Sequence, residues 1–487
     1  MNKRSIILPL LAFLLIGCQN NNGVSLTSEN GQESKGIIKE DVTIEFLCLT
    51  DNHYQKELTR MIEEFKSVEE KVTVNLINPP AAGNYNVLEK IVISGFFKED
   101  YPDIVQCYPD NVVKYIDRGY AINLNDYLNN SVYGLNEERE DYINTFLEEG
   151  SHYSKNGVYS LPFCKSTELL YYNADVLLNL DLSSIDGSIN GGQKLTEDYF
   201  NNLTWEELFG KLCPAIKAYN AVNNIYDDSN DSGIFTYDSD ENFFITLANQ
   251  YGYGYTSVNE QGHGSVDFNN DEMKELVKTL KTAKDNGYLQ TRGSYGDYVS
   301  DLFQKRKSLL TVSSTASLSY NYNESSPFKI GVAKLPKASG KSYSSINQGP
   351  SVCLLDHKDN NRALASYLLW KHLTNQSNSS SWAVKTGYMG IRNSSYLSEE
   401  YQEAINPDLS KEEKPLYAEA VADNLKLIKE VRDTTFNTPV FRGSSNARTN
   451  VGLLLTECLN SDDLDNNIDT LFSAYEDDAS SYVINNA

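Results

Sequence analysis

No Cys-x-x-Cys pair occurs in this 487-residue chain, and its five histidines (His53, His152, His263, His357, His372) never fall four apart with a carboxylate between them. A zinc site therefore has no support in the spacing of ligand-type residues. There is no Gly-x-Ser-x-Gly elbow and no His-Glu-x-x-His, and Gly252-Tyr253-Gly254 and Gly262-His263-Gly264 do not complete a dinucleotide-binding Gly-x-Gly-x-x-Gly. Basic residues are scarce, 42 against 67 acidic, so the formal charge of −25 disfavours partners such as nucleic acid or anionic lipid. What remains is a chain with 40% hydrophobic residues, enough for globular cores, and too long for a single one. Two lobes are expected.

The first residues are of a different kind. Lys3 and Arg4 precede an apolar run from Ile6 to Ile16, the layout of a signal peptide rather than of a membrane span. The run ends in Leu15-Ile16-Gly17-Cys18, which resembles a bacterial lipobox, a small residue before a cysteine that becomes lipidated. Acyl chains on Cys18 would anchor the protein to a membrane. Residues 18–40 are rich in Asn, Ser, Gly and Glu, the composition of a flexible tether reaching about 25 Å. With Cys18 lipidated, six cysteines remain, and an exported protein could pair them as three disulfides. Cys48, Cys107 and Cys353 lie in apolar strand-like runs, however, where a free thiol packs as a small hydrophobe.

Periodicity then sets out an α/β chain. Val42, Ile44, Phe46 and Cys48 alternate as a strand, Leu58, Met61, Ile62 and Phe65 recur at helical spacing, and Val72, Val74 and Leu76 return to alternation. A helix with Val87, Leu88, Ile91 and Val92 on one face leads to a third strand in Pro102-Asp103-Ile104-Val105-Gln106-Cys107. Alternating strands and helices predict parallel-rich sheets flanked by helices. From Gly157 to Asn173 the chain reads as a crossover: Pro162 lacks a donor and biases Leu161 toward extended geometry, and an apolar run, Leu169 to Tyr172, starts a new unit. Thr204-Trp205-Glu206-Glu207 has the form of a capping box, with Pro214 bending the helix it opens. The return crossing is expected near Leu335–Ser339, and helical patterns at Leu416–Val431 and Leu453–Tyr475 close the chain.

Gly157 to Asn173 resembles the Gly-x-Tyr-x-Leu-Pro-Phe-x-x-Ser-Thr-x-x-Leu-Tyr-Tyr-Asn signature of extracellular solute-binding proteins, family 1, which serve ABC importers. Asp103-Ile104-Val105, Ile330 to Pro336, Asn347 to Val352 and Trp382 to Arg392 are similar to further segments of that family, and the likeness is greatest for its glycerol-3-phosphate-binding and sugar-binding branch. The resemblance implies a type II periplasmic-binding-protein fold with a hinge between the lobes. Carried over position by position, it implies ligand contacts at Tyr85 (in Gly83-Asn84-Tyr85), Ser166, Ser314, Gly349, Tyr388 and Arg448, with Arg442 as the competitor to the last. Where the branch has glutamate after Val-Tyr, this chain has Cys107-Tyr108-Pro109, and Asp110 is the nearest carboxylate. The chemistry suits a polyhydroxylated solute, which needs dense donors and acceptors together with aromatic faces.

The lobes are expected at 41–165 plus about 338–392, and at about 166–337 plus 393–487, behind a signal peptide at 1–17. The expected role is that of an extracytoplasmic, lipid-anchored, monomeric binder that closes on a carbohydrate or glycerol-phosphate-type solute and delivers it to ABC permease subunits. It needs no cofactor, metal or catalytic residue. A surface-anchored hydrolase acting on glycans or phosphodiesters is the alternative, although no nucleophile and base stand at a spacing that argues for it.

Overall fold

The structure, a computed structural model, describes residues 35–49, 52–79, 85–229 and 231–483; Cys18 and most of the tether lie outside them. Among the described residues the strands run β1 Val42–Leu47, β2 Val72–Ile77, β3 Ile104–Cys107, β4 Leu161–Pro162, β5 Glu168–Asn173, β6 Phe235–Tyr237, β7 Thr256–Val258, β8 Gly264–Val266, β9 Leu289–Thr291, β10 Leu310–Ser314, β11 Ile330–Lys334, β12 Ser345–Ile346, β13 Ser351–Leu354 and β14 Thr435–Phe436. Two five-stranded sheets result, ordered β2-β1-β3-β13-β4 and β11-β5-β10-β6-β9, and each is the centre of one α/β lobe. The first strands of each lobe pair in parallel, as the alternation with helices predicts, through β1 with β2 and β3 and through β6 with β9 and β10. The strands that arrive from the other lobe, β5 and β13, run antiparallel to their neighbours.

The first crossing lies where Pro162 put it. Pro162 sits in β4, an edge strand where its missing donor costs no ladder bond. The indole of Trp370, on the helix Asn360–Leu373, donates to the Pro162 carbonyl at 2.9 Å and so pins the segment before it leaves the lobe. Six residues later β5 enters the second sheet as a wholly buried strand, which is why its sequence is a nearly continuous apolar run. The return crossing is later than the expected Leu335–Ser339. Residues 337 and 338 still hold to the second lobe, since Lys337 bridges Thr204 and the Ala338 amide donates to Gln250 Oε1. The chain reaches the first sheet through Asn347–Ser351. There Gln348 pairs with Ser166 in both directions, at 2.9 Å each. A third passage is the short parallel ribbon of β12 and β14, with the Asn347 amide donating to the Phe436 carbonyl at 2.8 Å.

Local chemistry explains other departures from the sequence reading. The Thr204 hydroxyl accepts from the Glu207 amide at 3.2 Å, but the Glu207 carboxylate takes the Tyr199 hydroxyl rather than reaching back, so only half of the capping box forms. Leu208–Leu212 wind as a π turn directly before Pro214, the register change that a residue without an amide hydrogen invites. The single pattern at Leu453–Tyr475 is two helices, Ser444–Asn460 and Leu464–Ser481, parted by the turn-forming Ser461-Asp462-Asp463. The tether also ends sooner than its composition implied: the Ile37 and Ile38 amides bond the Glu69 carboxylate, and Ile38 is buried. All six cysteines of the described residues are buried free thiols.

Candidate functional site

Aromatic side chains of the first lobe collect on the segments that follow the carboxyl ends of its parallel strands. Tyr85 begins the helix Tyr85–Phe96, and its ring meets the edge of Tyr108 at 4.7 Å. Tyr108 stands in extended geometry ahead of the helix Pro109–Asp117, whose first position suits proline. The helix Gln376–Thr386 ends at Gly387, with φ +75°, and this turn delivers Tyr388 against Trp382 at 6.2 Å and Tyr54 at 5.6 Å. Trp382 is backed in turn by Phe163 from the first crossing at 5.4 Å. Burial pushes the Tyr85 and Tyr388 phenols well above their ordinary range, so both remain neutral hydrogen-bonding groups. The Tyr54 hydroxyl reaches across to the second lobe and donates to the Ala316 carbonyl at 2.8 Å.

Polar groups of the second lobe face this wall. Arg448, on the helix Ser444–Asn460, places its guanidinium 5.9 Å from the Tyr108 ring centroid, and one of its nitrogens donates to Asn242 Oδ1. Burial works against its charge, yet Glu241, Tyr255, Tyr108 and Asp110 outweigh that and hold it above the usual arginine range. Asp110 accepts from the Ser444 hydroxyl at 2.5 Å across the cleft; burial raises its pKa, and Ser444 and Arg448 oppose the rise. Glu168, only 2% exposed at the start of β5, takes the Tyr237 hydroxyl and the Asn242 amide at 2.5 and 2.8 Å. Burial lifts it to about 7 in spite of both bonds. Arg442, the competitor to Arg448, is turned away and lies 3.5 Å from Asp117.

The remaining candidates belong to the crossings. Ser166 is buried and pairs with Gln348 through its backbone. Gly349 has φ +89°, and a Cβ there would stand 2.0 Å from the Cys164 carbonyl oxygen, so only glycine fits. Its own carbonyl accepts from the Lys165 ammonium at 3.3 Å. Ser314 lies opposite Glu168 in the sheet, and its hydroxyl takes the Ala316 amide at 3.3 Å, holding the turn that Tyr54 touches. Contacts thus gather Tyr85, Tyr388, Asp110 and Arg448 where the lobes meet, while Ser166 and Gly349 lie in the crossing segments and Ser314 pairs beside β5. Tyr54, Tyr108, Glu168, Asn242 and Gln348 join them without having been singled out from the sequence. Glu168 alone carried a signal, a carboxylate directly ahead of the apolar run Leu169–Tyr172.

Among the described residues no three His, Cys, Asp or Glu side chains gather as a metal would require, and no helix is long and apolar enough to cross a membrane. A family model described as bacterial extracellular solute-binding protein matches residues 60–407. The chain belongs to that family. A search of curated proteins finds no match. Among solved structures, UgpB from Mycobacterium tuberculosis in complex with glycerophosphocholine is similar at a TM-score of 0.68 and 14% identity, over 91% of this chain and 98% of that one. The ABC substrate-binding protein Lmo0181 from Listeria monocytogenes, in complex with cycloalternan, gives 0.67 and 14% over 92% and 99%. Maltose-bound MalE3 of T. maritima gives 0.65 and 14% over 90% and 98%. At such identities these likenesses speak for the fold of a solute-binding protein and not for its ligand.

Proposed function

We propose that this solute-binding protein captures a carbohydrate or a glycerol-phosphate-type solute between its lobes and hands it to the permease subunits of an ABC importer, while lipidated Cys18 keeps it at the extracytoplasmic face of the membrane. The observation that carries this reading is the pairing of unlike walls. Neutral aromatic faces at Tyr85, Tyr108 and Tyr388 stand on one lobe, and a bonded polar set of Arg448, Asn242 and Glu168 stands on the other. Sugar-like solutes present both a C–H surface that packs on rings and hydroxyls that need partners. A solute held by both walls favours the closed arrangement, because only a ligand that binds one state better can shift the population. The solutes in the similar structures, glycerophosphocholine, cycloalternan and maltose, fall within this chemistry.

Titration calorimetry with glycerophosphocholine, glycerol-3-phosphate and maltodextrins tests the site. Tyr388→Ala and Arg448→Ala are each expected to weaken the solute that the wild type binds by at least about tenfold, equivalent to about 1.4 kcal/mol, with the fold retained. Unchanged affinity in both variants would remove the site from this cleft.

A further inference from the structure

Asn242 occupies the first turn of the helix Asp240–Tyr251 and is 3% exposed. Its side-chain Nδ2 donates to Glu168 Oε1 at 2.8 Å and to Gln348 Oε1 at 2.6 Å, while its Oδ1 accepts from Arg448. A guanidinium can only donate, so the amide oxygen must face Arg448 and the amide has one possible orientation, with both N–H groups and the carbonyl engaged. The three partners come from three separate parts of the chain. Glu168 ends the first crossing, Gln348 lies in the return crossing and pairs with Ser166, and Arg448 rides on the helix Ser444–Asn460, facing Tyr108 of the other lobe. The Gln348 amide also lies 3.5 Å from the Thr167 carbonyl, which ties the two crossings a second time.

We infer that Asn242 is the positioning residue that aims Arg448 into the cleft and couples it to both inter-lobe crossings. This rests on the cleft being the solute site. A solute that draws Arg448 toward itself pulls on Asn242, and Asn242 cannot move without disturbing Gln348 at the point where the lobes turn. No other side chain of this size does the same. Aspartate keeps the acceptor for Arg448 but sets a second carboxylate against Glu168, and leucine only fills the volume. The charged and titratable groups around the cluster are Tyr237 at the end of β6 and Asp238 after it, Tyr343 ahead of β12, Asp240 and Glu241 on its own helix, Arg448, Tyr255, and Asp110 and Tyr108 from the first lobe.

The test compares the full mature chain with Asn242→Leu and Asn242→Asp, each normalised to wild type at the same pH. By calorimetry with the solute panel above, N242L is expected to lose at least tenfold in affinity. N242D should match that loss at pH 8 and recover most of it at pH 5.5, where the carboxyl pair shares a proton and can donate again. In the absence of solute, hydrogen exchange at the Ser166 and Gln348 amides, each of which donates to the other residue's carbonyl, should quicken at least tenfold in N242L. N242D is isosteric with the amide, so the test stands even if N242L folds poorly. Affinity within twofold of wild type in N242L, an N242D affinity that ignores pH, or unchanged exchange at Ser166 and Gln348 would each overturn the coupling. Should the wild type bind nothing in the panel, the solute reading fails and the exchange measurement alone decides the matter.

Discussion

Replacing Lys165 by methionine should destabilise the protein by about 3–5 kcal/mol, the range for removing one member of a buried ion pair. The Lys165 side chain is wholly buried and that of Glu149 is 8% exposed. They meet beside the return crossing, where Glu149 also accepts from Ser351 at 3.2 Å and Asn347 at 3.4 Å, and where Lys165 donates to Gly349. Methionine matches the length of the lysine stem, so packing survives, but the Glu149 carboxylate is left desolvated with two neutral donors. The second mutation decides the cause. Glu149→Gln in the Lys165→Met background removes the charge, keeps a carbonyl oxygen for Asn347 and turns an N–H to the Ser351 hydroxyl, which can accept, and so should restore most of the loss, giving a coupling of at least about 2 kcal/mol in a double-mutant cycle. Urea unfolding followed by tryptophan fluorescence suits this protein. Trp370 and Trp382 pack in one core and Trp205 in the other, so separate transitions of the two lobes would be visible. A Lys165→Met variant within about 1 kcal/mol of wild type, or a double variant no better than the single one, would refute the argument that an uncompensated charge is the cause.

Glu168 predicts a pH dependence. Its folded-state pKa, raised to about 7 from an ordinary value of 4.5, means that the folded protein holds this proton more tightly. The stability it contributes is therefore full below pH 4.5, falls by about 3 kcal/mol as pH rises to 7, and is flat beyond. Glu168→Gln should remove that slope in denaturation curves taken between pH 4.5 and 8, and an unaltered slope would assign it to other groups. Gly349→Ala forces a side chain into a left-handed turn 2.0 Å from a carbonyl oxygen, and should cost more than about 1 kcal/mol in the same assay. A neutral result there would mean that the crossing can shift to admit a Cβ.

The crossings were legible to different degrees, for physical reasons. The first could be read because one residue, Pro162, excludes helix and central strand at once, and because a fully buried β5 leaves an apolar run. The second is carried by Gln348 and Ser166, two polar residues 182 positions apart whose pairing has no local signature. The same holds for the site. Tyr85, Tyr388 and Arg448 become candidates only through the resemblance to a family, and the partner of Arg448 is Asn242, 206 residues away. Tyrosine is frequent here, with 33 residues, so Tyr54 and Tyr108 had no pattern to set them apart from packing rings. The break between the last two helices was missed because the apolar spacing runs on across Ser461-Asp462-Asp463, and only the turn residues mark it.

The central claim is that a solute binds between the lobes, and the most direct measurement is the melting temperature of residues 19–487 against mono- and oligosaccharides, glycerol-3-phosphate and glycerophosphodiesters. A solute at 100 times its dissociation constant adds about 2.7 kcal/mol to the folded state, and the account predicts such a rise for at least one compound, lost in Arg448→Ala. No shift across the whole panel, a shift that survives intact in Arg448→Ala, or a compound that is consumed rather than held would contradict it.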